Sequence, residues 1–389
     1  MSHQLLTDAP PVAAPQSRRV VFVDLARSVA AIFMLYGHAM DALLAPEYRT
    51  GSWHDLWQFQ RGLTSYLFLL LSGFAFSIAT ARHWQSHVTW SPALIRRARR
   101  FGLFLVLGYV LHVPMVPISA LAAAPDAVWR QFVAVDVLRL IGVTFFGVQL
   151  LVLVVRRRRA VLVTTLLLTA VIPLVTPAVW SVDWTAALPT ALAAYLSPTT
   201  GSTFVLFPWS AFVLLGVGLG QLYAVWGIER LTTYATRVLL LPGIGLVVAW
   251  AGLKVGTSGL VGSGPYAALP LEVLLRAGVC LLIVALVAFV SRSIGRLPHV
   301  LSAFAQETLL VYVVHLSLVY GSIWSPGLVR LFGPTLTPVP MIAVIAALIA
   351  AMMALASVWN RWKHMHPRQV RTLSFALGTL VALRLLLPQ

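Results

Sequence analysis

Val20-Val-Phe-Val-Asp24-Leu-Ala-Arg27-Ser-Val-Ala-Ala-Ile-Phe-Met-Leu-Tyr-Gly-His38-Ala-Met40 is an apolar run long enough to cross a bilayer, yet it carries three ionisable side chains. A helix turns about 100° per residue, so the eleven steps from Arg27 to His38 make about three turns plus 20°. Both side chains therefore lie on one face, roughly 16 Å apart along the axis. Asp24, three residues before Arg27, is within reach of an ion pair with it. Charge inside a membrane is costly, so each of these groups needs a partner or a function. The plainer reading makes Asp24 and Arg27 an orienting ion pair and His38 a polar residue near the interface.

The rest of the chain sets this run in context. Of 389 residues, 59% are hydrophobic and only 10% charged, and the mean hydropathy is +0.88. Soluble domains carry about 25% charged residues. The composition therefore predicts an all-α, polytopic membrane bundle. Eleven spans are expected, at 20–43, 62–81, 101–118, 132–155, 160–179, 203–225, 238–254, 271–290, 301–324, 338–359 and 370–388; the short 238–254 and the arginine-bearing 370–388 are the weakest. Residues 1–17, polar and rich in Pro and Ala, read as a disordered cytoplasmic tail without a cleavable signal. Residues 18–389 read as one transmembrane domain, because no connection is long enough to hold a soluble one.

The net charge of +17 would suggest nucleic acid in a soluble protein. Here the basic residues gather in alternate loops, which makes them topology signals and contacts for anionic lipid. With the N-terminus cytoplasmic, the inside segments hold 19 of the 28 Lys and Arg. Trp53, Trp57, Trp129, Trp180, Trp184 and Trp209 fall on the other side, where tryptophan anchors helices at the interface. The stretch 181–202 suits a short re-entrant or interfacial helix, and 255–266 a glycine-rich loop. Cys280 is the single cysteine, so no intrachain disulfide forms, and no His, Asp or Glu set has metal-ligand spacing.

This orientation puts Asp24 and Arg27 near the cytoplasmic end of the first span and His38 near its outer end. Imidazole is the usual general base near neutral pH. Asp41, one turn beyond His38, is a candidate to orient the ring as a triad acid does. Arg61 opens the second span and is a candidate acceptor contact or a snorkelling anchor. Ser72 and Gly73 either line a narrow tunnel or pack helices closely. Arg82, Arg96, Arg97, Arg99 and Arg100 form the strongest cationic cluster on the cytoplasmic side; they are candidates for phosphate contacts or plain inside charge. Asp136 and Arg139 are a structural pair or an acceptor contact. Tyr312 and His315, one turn apart, are candidates to line a cavity, with Glu307 nearby. His112 reads as a satisfied buried residue, and His83, His87, His299, His364 and His366 as cytoplasmic loop residues.

The order of these motifs resembles the transmembrane acyltransferase superfamily. Arg27, ten residues and His38, followed by Leu-Ser72-Gly73-Phe74 in the second span, are similar to the acyltransferase-3 family. Asp24-Leu-Ala-Arg27, the run from Arg61 to Phe74, Phe207-Pro208-Trp209 and Leu310-Val-Tyr312-Val-Val-His315 resemble bacterial membrane proteins similar to heparan-α-glucosaminide N-acetyltransferase. The resemblance covers about 18–325. It implies transfer of an acyl group, acetyl above all, from acyl-CoA to a hydroxyl or amine of a carbohydrate or lipid-linked acceptor, without a metal. It implies His38 as the catalytic histidine and Arg27 as part of the donor site. Two departures stand out. Many relatives have Arg-Gly where this chain has Arg27-Ser28, and His54, in Ser-Trp53-His54-Asp55, competes with His38 for the catalytic role. A bacterial inner membrane is the expected location. A transporter would show paired, broken repeats, which this sequence lacks; a non-catalytic partner of an envelope assembly would tolerate loss of both Arg27 and His38. The sequence does not set the oligomeric state.

Overall fold

The run from Val20 forms helix α1, Val21–Leu43, in a computed structural model that describes residues 20–113, 124–226, 230–256, 266–322 and 325–386. Asp24 in its first turn complements the helix dipole. Arg49 closes the other end: its Nε donates to the Leu44 carbonyl at 3.0 Å and its Nη2 to the Asp41 carbonyl at 3.0 Å. These are backbone acceptors that a helix leaves without internal partners at its C-terminus. The tail 1–17 and most of the loop 255–266 lie outside the described residues.

The remaining long helices are α2 (Gly51–Arg82), α3 (Pro92–Leu111), α4 (Val137–Val155), α5 (Arg158–Trp180), α6 (Leu206–Trp226), α7 (Leu231–Gly256), α8 (Leu269–Arg292), α9 (His299–Gln306), α10 (Thr308–Val319), α11 (Pro338–Met365) and α12 (Pro367–Leu386). Over their described residues, ten of the expected spans each fall on one of these helices, and 301–324 falls on two, α9 and α10. Among the described residues, eight helices are long and apolar enough to cross a membrane, and α9 with α10, bent by 79°, would make a ninth. The expected spans at 101–118 and 370–388 coincide with α3 and α12, which are not among those nine. Four arginines occupy the first half of α3, and 101–118 continues into residues outside those described. The protein is thus an all-α, multi-pass integral membrane protein. The stretch 181–202 holds two single-turn helices, Trp184–Ala187 and Thr190–Ala193.

The chain divides into two compact units. Of the described residues, the first holds 20–23 and those within Leu69–Leu107 and Val135–Ser293. There α2 crosses α6 with backbone against backbone: a Cβ on Gly73 would collide with the Val213 carbonyl, and one on Gly216 with that of Leu70. Small residues permit this approach, which is how membrane helices gain packing without a hydrophobic driving force. Phe22, Phe74, Tyr223 and Tyr234 form an aromatic cluster beside the crossing, and the Tyr234 hydroxyl donates to the Leu219 carbonyl at 2.9 Å. The helix α6 also packs on α5, and α7 on α8.

The second unit holds Asp24–Phe68, Gly108–Ala134 and the residues from Ile294 onward. In it α9 and α10 both pack on α11. The end of α1 is tied down by a two-bond bridge, Ala45 N to Leu336 O at 3.0 Å and Leu336 N to Leu43 O at 2.9 Å.

Candidate active site

Two contacts fix α1 against α10 inside the second unit. Arg27 Nη2 donates to Thr308 Oγ1 at 2.7 Å, in the first turn of α10. Eleven residues later along α1, the His38 ring lies 5.3 Å from that of His315 and 5.6 Å from that of Tyr320, centroid to centroid. Both helices run from the first contact to the second, so the two segments lie side by side and parallel. The face shared by Arg27 and His38 is thus the face α1 turns toward α10, as the helical spacing requires. Ser28, next to Arg27, is buried and donates to the Leu301 carbonyl of α9 at 3.2 Å.

At the histidine end, His315 is fully buried. Its Nδ1 lies 2.8 Å from the Val311 carbonyl, an atom that only accepts, so Nδ1 carries the proton and Nε2 a lone pair. That Nε2 is buried with no hydrogen-bond partner. Tyr312 stands one turn below, its ring 5.8 Å from that of His315. The half-buried His38 meets the Tyr320 hydroxyl through Nδ1 at 3.1 Å. A proton-accepting nitrogen without a partner, next to a second imidazole, is a polar site closed off among apolar helices.

The carboxylate of Asp41 does not orient His38. It ion-pairs with Arg61, which reaches back from α2 across Gly37 and lies 6.0 Å from the Trp57 ring. A long cation opposite outcompetes a neutral imidazole one turn away for a carboxylate. Arg61 is therefore engaged on Asp41 and Trp57. His54 is on α2 also, half-buried, between the rings of Trp53 at 5.8 Å and Trp57 at 5.3 Å, with Gln58 Nε2 at 3.3 Å from its Nε2. Asp41 lies within electrostatic range of it. His54 on α2 and His38 on α1 thus both lie near Asp41.

At the arginine end, Asp24 is half-buried one turn before Arg27. Glu307 sits at the break between α9 and α10, nearly buried, and accepts from Asn360 Nδ2 at 2.8 Å and from Lys363. This satisfies a carboxylate that would otherwise be unpaired at membrane depth.

The other expected residues belong to the first unit. Asp136 caps α4, accepting from Arg139 N at 2.9 Å, and the Arg139 guanidinium is fully buried 4.0 Å from the same oxygen. The two side chains are thus paired at the start of α4. Arg97 donates to the Phe76 carbonyl at 3.0 Å and to Gln149 Oε1 at 3.3 Å, and stacks 4.3 Å over the Phe76 ring. Gln149 in turn donates to the His87 carbonyl at 3.0 Å. Arg97 is thus a structural latch, whereas Arg82, Arg96, Arg99 and Arg100 are exposed. His87, expected in a cytoplasmic loop, is buried in the single turn Gln85–Val88. Burial, with Arg97 and His83 adding like charge, pushes its pKa down to about 4. Ser72 is half-buried one residue before the Gly73 crossing. Among the described residues, no group of three or more His, Cys, Asp or Glu is placed to hold a metal.

Tyr320, Thr308, Asn360 and Lys363 carry no signal in the local sequence. Their partners lie 53 to 282 residues away, so no local spacing announces them. Residues 19–244 match the family model described as heparan-alpha-glucosaminide N-acetyltransferase, catalytic. No curated protein matches the chain.

Proposed function

Because the chain belongs to the heparan-alpha-glucosaminide N-acetyltransferase catalytic family, we propose that it moves an acetyl group from acetyl-CoA to an amine or hydroxyl of a glycan or lipid-linked acceptor. The reaction takes place in the bacterial inner membrane, with the N-terminus cytoplasmic and acyl-CoA arriving from that side. His38 is the catalytic base. The observation that carries this reading is the pair of imidazoles, His38 and His315, facing each other on α1 and α10 with one nitrogen unpartnered.

In this reaction the acceptor N–H or O–H attacks the thioester carbonyl while His38 Nε2 takes its proton. The new C–N or C–O bond forms, the tetrahedral oxyanion collapses, and the C–S bond breaks. The thiolate leaves and receives the proton from His38, giving CoASH. The same nitrogen is equally suited to carry the acetyl group first and pass it to the acceptor second. His315 Nε2 accepts a hydrogen bond from the incoming acceptor group, which relieves the cost of a buried, unsatisfied polar atom. Tyr312 lines the acceptor's side of the same site. Arg27 binds the donor at the other end of the helix face. Asp24 balances its charge, and the Arg61–Asp41 pair holds the outer end of α1 in place.

Mass spectrometry of envelope glycans from cells carrying the wild-type protein or His38→Ala tests the proposal. Acetyl groups missing from the variant at equal protein level support it and name the acceptor. Identical profiles, with solute flux across the membrane instead, would point to a transporter.

A further inference from the structure

We propose that Tyr320 is the positioning residue that sets the tautomer of His38, through the hydroxyl that touches both the ring and the backbone of that residue. The inference rests on the reading of His38 as the catalytic base. The Tyr320 oxygen lies 3.1 Å from His38 Nδ1 and 3.4 Å from the His38 carbonyl oxygen. A phenol has one proton, and the carbonyl can only accept. If Tyr320 donates to the carbonyl, the remaining contact is a hydrogen bond only when Nδ1 carries a proton and donates to the phenol oxygen. The chain is then Nδ1–H to Tyr320 Oη, and Tyr320 O–H to the carbonyl, with one proton per bond. This leaves Nε2 of His38 with its lone pair, the form that accepts a proton from an acceptor or attacks a thioester. A neutral phenol thereby takes the place that a carboxylate holds in a triad, which Asp41 has vacated for Arg61.

The backbone around Tyr320 is built to hold that position. Tyr320 ends α10, its N–H bonded to the Leu316 carbonyl at 2.8 Å. Gly321 follows at φ +98°, where a Cβ would lie 2.9 Å from the carbonyl oxygens of Ser325 and Pro326. Gly327, at φ +71°, brings its backbone directly against Gly321. Side chains rarely adopt these angles, so glycine at both positions allows the chain to fold back tightly behind the tyrosine. Ser322 N donates to Ser325 O at 2.8 Å. An aromatic residue that served only as an interface anchor would need neither the turn nor the two contacts to His38.

The test is 15N spectroscopy of the full-length protein labelled on histidine, in detergent or nanodiscs. The His38 signals are located by their loss in His38→Asn, and the neutral ring is read at alkaline pH. The expected result is a protonated Nδ1 and an unprotonated Nε2 in the wild type. Tyr320→Phe shifts the signals toward a mixture of tautomers and lowers kcat about tenfold, with KM for acetyl-CoA unchanged. An Nε2–H tautomer in the wild type overturns the inference, as does a Tyr320→Phe variant with wild-type kcat. The wild-type spectrum decides by itself if the variant does not fold. Full acetyl transfer by His38→Ala, in contrast, overturns the catalytic reading beneath the inference and takes the inference with it.

Discussion

Arg27 donates a 2.7 Å hydrogen bond to Thr308, the residue at which α10 resumes after its 79° bend from α9. The bend and the intramembrane cation are therefore one feature: Arg27 holds the first turn of α10, and the carboxylate at the break, Glu307, is held by Asn360 and Lys363. Removing the hydroxyl takes one partner from a charged donor in an apolar setting. Thr308→Val should lower stability by about 1 kcal/mol, within the range for polar contacts between membrane helices. Thermal unfolding in detergent checks this, with Thr308→Ser as the variant that keeps the bond.

The glycine crossing of α2 and α6 gives a prediction with an internal control. Gly216→Ala puts a methyl group into the Leu70 carbonyl, which has no flexible chain to move aside. A loss of about 1–3 kcal/mol is expected, as for overpacking in a core. Gly147, on the exposed face of α4, meets nothing within 4 Å. Gly147→Ala should be neutral or raise stability by up to about 1 kcal/mol, because alanine favours the helix. Melting temperatures of the two variants in one detergent compare them directly.

Buried His87 predicts acid sensitivity of the segment between α2 and α3. Its pKa falls from 6.5 to about 4 in the folded protein, so the unfolded chain binds a proton first as pH drops. The folded state should therefore lose stability progressively between about pH 6.5 and pH 4, with no contribution from this residue above that window. The slope should flatten in His87→Gln. Unfolding curves at a series of pH values for the two proteins measure the difference.

The arginines of α3 should separate into two kinds. Arg97→Ala breaks contacts to Phe76 and Gln149, so it should reduce the yield and melting temperature of folded protein. Arg96→Ala and Arg100→Ala change exposed side chains and should leave melting within about 0.5 kcal/mol of wild type. If they meet the phosphates of the donor, KM for acetyl-CoA rises in both, and rises further in high salt for the wild type. Steady-state kinetics with varied acetyl-CoA read this out.

Much of the architecture was legible because membrane helices announce themselves: Val20–Met40, 271–290 and 338–359 are apolar over a bilayer's width, and a 3.6-residue period put Arg27 and His38 on one face. Which charges would be consumed by structure was not legible. Asp41 lies one turn from His38, so spacing alone favoured a dyad, but Arg61 approaches from a different helix and takes the carboxylate. Arg97 looks like its neighbours Arg96 and Arg100 in sequence; only the fold brings Gln149 and the Phe76 carbonyl to it. Tyr320 was silent because its partner is 282 residues away and its own surroundings look like the end of any span. The bend at Glu307 was hidden inside an apolar run without proline, and 301–324 reads as one straight span until Lys363 and Asn360 are placed against it.

Purified full-length protein in nanodiscs decides whether His38 performs the transfer. Wild type, His38→Ala and His54→Ala are given radiolabelled acetyl-CoA and an extract of envelope glycans, and acetylated product is counted at equal amounts of folded protein. His38→Ala is expected to lose transfer by at least about a hundredfold while His54→Ala retains most of it. Full activity in His38→Ala, with loss in His54→Ala, would rule out His38 as the catalytic histidine and move the reaction to the histidine between Trp53 and Trp57.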